Sequence, residues 1–283
     1  MHMHLTISAV TLATLLAAGC QTELTGTAYT AAVWADDGSE IAVALRHVKA
    51  TMHAYDTVAH TDNWAIELRQ PDLSGAHELP VTRPGKVDRL YDMHKAGYVL
   101  VHELIYGDGT LTFGPEKCRF VRVATSGAAG TQAVATEVPA SETDPTVDTC
   151  NWPTVYDVLP SRDGTTLARV LLKAKTAQVD FLDAKDFALK GKHTLTLAVA
   201  PEGSSTSGPK WRWRTDGTLV FNDATRSVAL TPGKEDEQDL PVSTCVGTPT
   251  SSIDRTASGK RVAVTANNDG VQFVESASPD TCE

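Results

Sequence analysis

Five times along the chain, a short segment ending in glycine leads into a brief apolar run. Asp36-Asp37-Gly38 precedes the run 41–45, Lys95-Ala96-Gly97 precedes 98–101, and Arg162-Asp163-Gly164 precedes 167–172. Thr215-Asp216-Gly217 precedes 219–221, and Ala257-Ser258-Gly259 precedes 262–264. Glycine supplies the positive φ that a tight hairpin turn needs, and a preceding aspartate caps such a turn with its own side chain. The runs are almost continuously apolar, which indicates strands buried on both faces. The five glycines stand 59, 67, 53 and 42 residues apart, a recurrence that suits one four-stranded sheet each. After Cys20 no helical periodicity extends over ten residues; the stretch 87–95 predicts one or two helical turns at most. The expectation is an all-β chain of antiparallel sheets stacked face to face.

The residues around the turns carry a resemblance. Val33-Trp34-Ala35-Asp36-Asp37-Gly38-Ser39-Glu40-Ile41-Ala42-Val43 resembles the repeat of TolB-type and related WD-like β-propellers. That repeat is a hydrophobic strand, a Ser-Pro-Asp-Gly-like turn and an apolar strand. The same shape recurs in Trp211-Arg212-Trp213-Arg214-Thr215-Asp216-Gly217-Thr218-Leu219-Val220-Phe221 and again over 255–264. Trp64-Ala65-Ile66-Glu67-Leu68 with Asp72-Leu73-Ser74-Gly75 is similar to a third strand and its turn, and His77-Glu78-Leu79-Pro80-Val81-Thr82 to a fourth. The resemblance implies a β-propeller of about five four-stranded blades, over 24–83, 84–139, 150–200, 208–243 and 246–283. Six smaller blades, or a pair of β-sandwiches, are the alternatives. Polar stretches at 125–145 and 201–209 read as exposed loops.

The amino terminus reads differently. Residues 5–18 hold only apolar, small or hydroxyl side chains. That is short of the roughly 20 apolar residues a spanning helix needs and has the length of a signal-peptide core. Leu16-Ala17-Ala18-Gly19-Cys20 follows, and resembles the bacterial lipoprotein lipobox. The resemblance implies cleavage before Cys20 and a lipid on its thiol, with 1–19 a lipoprotein signal peptide and 20–283 a single β-propeller domain. An ordinary cleaved signal peptide is the alternative. A lipidated Cys20 would hold the chain to a membrane of the cell envelope, facing the periplasm or exterior, and Gln21 after it favours the outer membrane.

Removing 19 of the 283 residues leaves 264, enough for one large domain or two small ones. A hydrophobic content of 41% supports a packed core. The net charge of −10 repels phosphate backbones, so nucleic acid is not an expected partner. The membrane attachment must then come from the lipid on Cys20 and not from a basic patch. Beyond Cys20 the cysteines are Cys118, Cys150, Cys245 and Cys282, an even set that in an exported chain reads as two disulfides. Three pairings are open. The sequential one closes loops of 32 (150 − 118) and 37 (282 − 245) residues, each contributing about 3–4 kcal/mol in the chain-entropy picture. No Cys-x-x-Cys occurs, so neither a redox motif nor a zinc ribbon is indicated.

Several constellations could carry chemistry. His47, His53 and His60, with Asp56 and Asp62, fall in what reads as one long inter-strand loop, a candidate ligand or partner surface. Their spacings match no short metal-binding turn, so no metal is assigned. Trp211 and Trp213 alternate on one strand and form either a stacking surface or packing between blades. His102-Glu103-Leu104-Ile105-Tyr106 begins like a zinc-protease motif, but the second histidine is absent and the segment reads as strand. Asn267-Asn268-Asp269-Gly270 reads as a hairpin turn, and Glu235-Asp236-Glu237 as a solvated acidic turn. No Gly-x-Ser-x-Gly elbow, catalytic set or cofactor motif is evident. The expected function is a lipid-anchored, non-enzymatic scaffold that binds an envelope protein. The alternatives are a lyase- or lactonase-like propeller enzyme with a metal site, and a small-ligand or glycan binder.

Overall fold

The computed structural model describes residues 21–35, 38–53, 56–94, 97–106, 117–125, 134–140, 155–197, 210–214, 216–223, 225–241, 253–255, 261–267 and 270–275. Every regular element among them is a β-strand. The first sheet contains β1 (Gln21–Trp34), β2 (Ile41–His53), β3 (Asp56–Arg69), β4 (His77–Glu78) and β5 (Arg83–Pro84). The second contains β6 (Lys86–His94), β7 (Tyr98–Ile105), β8 (Lys117–Ala124) and β9 (Ala135–Glu137). The third contains β10 (Val155–Pro160), β11 (Thr166–Lys173), β12 (Thr176–Asp183) and β13 (Leu189–Thr196). The fourth contains β14 (Lys210–Trp213), β15 (Leu219–Asn222), β16 (Ser227–Leu230) and β17 (Glu237–Leu240). The fifth contains β18 (Ile253–Arg255), β19 (Arg261–Asn267) and β20 (Gly270–Glu275). Within each sheet consecutive strands pair antiparallel, except that β5 pairs with β3.

The sheets pack through both faces, as the continuous apolar runs require. On β2, Ala42 and Ala44 face the second sheet, packing with Val87, Leu90, Val99 and Val101. The intervening Ile41, Val43 and Leu45 face the fifth sheet and share a cluster with Val264. Tyr98, Leu100 and Phe120 of the second sheet meet Val158, Leu167 and Leu182 of the third. Val170, Val179 and Phe181 of the third meet Trp213, Leu219 and Phe221 of the fourth. The first and last sheets also touch: Trp34 stacks on Phe273 with centroids 5.6 Å apart and planes 12° from parallel. The step from the fourth sheet to the fifth runs through 242–252, outside the described residues. Successive meander sheets, packed face to face with the last against the first, make a five-sheet β-propeller and not a pair of sandwiches. The first strand β6 contacts both β1 and β10, the first strands of its neighbouring sheets, which sets these strands nearest the axis, where radially arranged sheets converge.

The turn glycines behave as the sequence implies: Gly38, Gly97, Gly164 and Gly217 all have positive φ. At two of them the capping aspartate is explicit. Asp163 Oδ1 accepts from Thr165 N at 3.0 Å, and Asp216 Oδ1 from Thr218 N at 3.0 Å. Gly259 lies outside the described residues. Asn267 pairs with Gly270 across β19 and β20; Asn268 and Asp269 of the expected hairpin turn lie outside the described residues.

Three expectations are corrected. The stretch 87–95 is not helical: residues through His94 form strand β6. Register shifts between Val87 and Arg89 and between Tyr91 and His94 break the two-residue alternation. Val87 and Leu90 therefore both face the first sheet at a helix-like spacing of three. The stretch read as a loop at 125–145 contains β9, which completes the second sheet. Finally, His47 and His53 do not lie in a loop but in β2, while Asp56, His60 and Asp62 lie in β3.

Candidate functional site

Two features stand out from the packed body, one at the axis and one beyond the ring. The axial feature is built by first strands. Asp157 on β10 receives the Tyr91 hydroxyl of β6 at 2.6 Å and the Trp211 indole N–H of β14 at 3.2 Å. Its own strand adds Val158 N at 3.0 Å. One carboxylate thus ties three successive sheets together. Beside it on β6, Arg89 is exposed and donates to Asp88 Oδ2 at 3.3 Å. His102 Nδ1 lies 3.2 Å from that same oxygen, and the His102 ring stacks on Phe120 at 4.8 Å.

The electrostatics of this cluster are polarised. Asp88 is held down to about 2, chiefly by its hydrogen bond with His102 and in spite of partial burial. Burial first, then the Asp157 charge, pushes the Tyr91 phenol well above its ordinary value. Arg89 is raised, with Tyr91 the leading cause and the Asp157 and Asp88 carboxylates adding to it. A carboxyl this acidic and a phenol this basic are poorly matched to proton transfer near neutral pH, where an acid–base catalyst needs an intermediate pKa. Tyr91 is a fixed donor and Asp88 a fixed acceptor, an arrangement suited to positioning and contact.

The second feature is an arm. Strands of the second and third sheets run to eight or nine residues, whereas β1, β2 and β3 run to 14, 13 and 14. The extra length pairs Gln21 with His53, Leu24 with Ala50, Ala50 with His60 and His53 with Asp56. Packing against the ring stops near Tyr29. The six residues 21–26 and their partners on β2 and β3 thus project by about 20 Å at a strand rise of roughly 3.3 Å per residue. Arg46 and Asp62 bridge β2 and β3 at the arm's base at 2.5 Å. Higher up, Lys49 pairs with Glu23 at 2.9 Å. His47 Nδ1 sits 3.0 Å from Thr27 Oγ1, and its Nε2 lies 3.7 Å from Glu78. The predicted His/Asp constellation belongs to this arm. Register puts His47 on one face and Asp62 on the other, so the strands divide these two; the side chains of His53, Asp56 and His60 lie outside the described residues. Among the described residues, no three His, Cys, Asp or Glu side chains converge as a metal-holding group.

The other predicted residues fall as follows. Trp213 is buried between the third and fourth sheets and donates to Leu159 O at 3.1 Å. Trp211 is half-buried and stacks on Phe221 at 5.9 Å. The tryptophans are packing elements and not an open aromatic surface, because each indole lies against the neighbouring sheet. Cys118 is buried on β8 and disulfide-bonded; Cys20, Cys150, Cys245 and Cys282 lie outside the described residues.

Sequence reasoning missed the buried polar groups that join the sheets. Glu103 on β7 is 0% exposed and accepts from Trp64 Nε1 at 2.8 Å and from Arg83 at 3.0 and 3.1 Å. Arg169 on β11 donates to Asp180 at 2.6 Å and to the carbonyls of Pro139 and Ala140 at 2.6 and 2.8 Å. It therefore clamps the segment leaving the second sheet onto the third.

The fold and this inner-strand cluster define a five-sheet β-propeller. No family model matches the chain, and no curated protein does. Among solved structures, prolyl oligopeptidase B from Galerina marginata is similar over 88% of this chain and 34% of that one, at 11% identity and a TM-score of 0.46. A putative 6-phosphogluconolactonase from Bacteroides fragilis is similar over 86% and 70%, at 12% identity and a TM-score of 0.39. The Dos1 propeller is similar over 90% and 93%, at 6% identity and a TM-score of 0.32. The chain spans about a third of the peptidase's length. Likeness this distant brings over no activity.

Proposed function

We propose that the chain is a lipid-anchored envelope β-propeller that acts as a protein-binding scaffold. The observation that supports it most is the start of β1 at Gln21, one residue after the lipobox cysteine. A lipid on Cys20 would join the arm with no intervening linker, and the arm runs without a break into a ring whose sheets are tied by buried polar groups. Such a body holds a surface in a fixed place at the membrane, which is what a scaffold requires. The axial cluster supports contact over catalysis, because its acid and its phenol are driven away from the range of proton transfer. The partner is an envelope protein, the compartment the cell envelope with the outer membrane favoured, and no cofactor or nucleic acid is involved.

The test is a crosslinking pull-down from the native envelope, beside a Cys20→Ala variant, with mass spectrometry of the amino-terminal peptide. Acylated Cys20 and one near-stoichiometric protein partner, reduced in the variant, are the expected results. An unmodified amino terminus would remove the anchor from this reading. Recovery of the protein alone with crosslinkers of several lengths would remove the scaffold.

A further inference from the structure

We propose that the outer edge of β1 along residues 21–26 is a strand-addition site for an extended segment of another protein. This deepens the scaffold reading and rests on it. The sheet order β1-β2-β3-β4 makes β1 a terminal strand. β1 contacts β6 and β19, and its buried residues Ala32, Val33 and Trp34 lie at the ring end of the strand. Residues 23–27 are exposed, and among the described residues no backbone hydrogen bond outside the sheet's own ladder reaches them.

Sheet edges normally carry devices that prevent pairing: short length, bulges, lysine, proline or charge. The opposite edges of the first four sheets have them. β4 is two residues long and β9 three. β17 carries Glu237 and Asp239, and β13 carries Lys190 and Lys192 beside a register shift. The arm half of β1, Gln21-Thr22-Glu23-Leu24-Thr25-Gly26, has no lysine or proline, and the strand's register shift lies inside the ring at Tyr29/Ala31. Its single charge, Glu23, is drawn sideways to Lys49 on the next strand. This edge is long, flat and unguarded.

The occupant follows from the anchor and the two faces. A second copy adding its own β1 antiparallel would carry its residue 20 to the far end of the shared segment, away from the leaflet that holds the first lipid. A foreign strand meets no such conflict. Register aligns Thr22, Leu24 and Gly26 with Met52, Ala50 and Val48 on one face, and Glu23 and Thr25 with Thr51 and Lys49 on the other. A matching segment alternates apolar residues with hydroxyl or basic ones, so that its apolar side extends the Leu24–Ala50–Val48 face. Main-chain bonds then supply affinity and the alternating side chains specificity.

The experiment places a photo-crosslinking residue at Thr25, at Thr61 on the far side of the arm, and at Arg89 and Lys234 on the ring, in full-length protein in its native envelope. The expected result is one discrete protein adduct from Thr25 and none from Thr61. Leu24→Lys, checked for unchanged circular dichroism, should lower that adduct about tenfold, equivalent to about 1.4 kcal/mol. A protein adduct from Arg89 or Lys234 but not from Thr25 would overturn the edge site and leave the scaffold reading standing. A Thr25 adduct with a second copy, or with lipid alone, would overturn the choice of occupant. No protein adduct from any position would overturn both readings.

Discussion

The ring and the arm use the same ion-pairing residues to different ends. In the ring, Arg169 and Asp180 meet almost without solvent, and Glu103 meets Arg83 and Trp64 with its carboxylate fully enclosed. In the arm, Lys49 and Glu23 meet at a similar distance with more than half of each side chain in water. A buried pair is expensive to break, since one partner is left charged and desolvated; an exposed pair gains little beyond what water already gave. The difference sorts the molecule into a part that must keep its geometry and a part that presents a surface.

The sharpest way to break this comparison is Arg169→Ala. It leaves Asp180 buried without its counter-ion and frees the Pro139 and Ala140 carbonyls, so urea unfolding should show a loss of about 3–5 kcal/mol. A loss below about 1 kcal/mol would put this staple in the same class as the arm's surface pairs. Glu103→Gln keeps the shape and one acceptor oxygen, but removes the counter-charge of Arg83 and turns an amide donor toward Arg83 Nη2. It should cost about 1–3 kcal/mol in the same assay, with the Trp64 fluorescence transition moving in step.

Asp88 tests the middle ground, because its side chain is 42% exposed although it is held at about 2. A depressed carboxyl contributes stability above its unfolded value near 3.8 and loses it as pH falls through about 2. Asp88→Asn should therefore lower the thermal midpoint at pH 5, and the gap from wild type should shrink to a small fraction of that by pH 2. Solvent screening limits the effect to below about 1 kcal/mol. A gap that persists at pH 2 would assign the effect to packing and not to charge. Smallest of all, Glu23→Gln should change unfolding by less than about 0.5 kcal/mol and lose even that in high salt. A larger value would mean that the arm carries structural weight of its own.

Most of the ring was legible because burial on both faces leaves a signature in composition and turn chemistry. The runs at 41–45 and 167–172 fit little except strands covered on both sides, and the glycines before them marked the hairpins. The arm was illegible for the opposite reason. Lys49, Glu23 and Thr25 face solvent and His47 and Thr51 are only half-buried, so neither face of these strands imposes a hydrophobic period. They read as a loop until the register with β1 is seen. β6 hid behind its two register shifts. The axial hub was beyond reach altogether: Asp157 is bound by residues 66 positions before it and 54 after it. No local spacing records a contact that only ring formation creates. Glu103 sat in view within a motif-like His-Glu, but its role depends on Trp64 and Arg83 from another sheet.

The start of β1 at Gln21 has one more consequence. A lipoprotein on a pliant leader behaves like a buoy on a chain: its reach grows with the tether, and it samples many heights and tilts. If the proposed lipid is on Cys20, this protein would instead be a post. Its ring would ride at a set altitude, roughly the arm's length of about 20 Å above the headgroups, turning about the normal but not nodding freely. On that proposal a partner would have to arrive in that thin layer, and the arm would be a gauge of distance as much as an attachment.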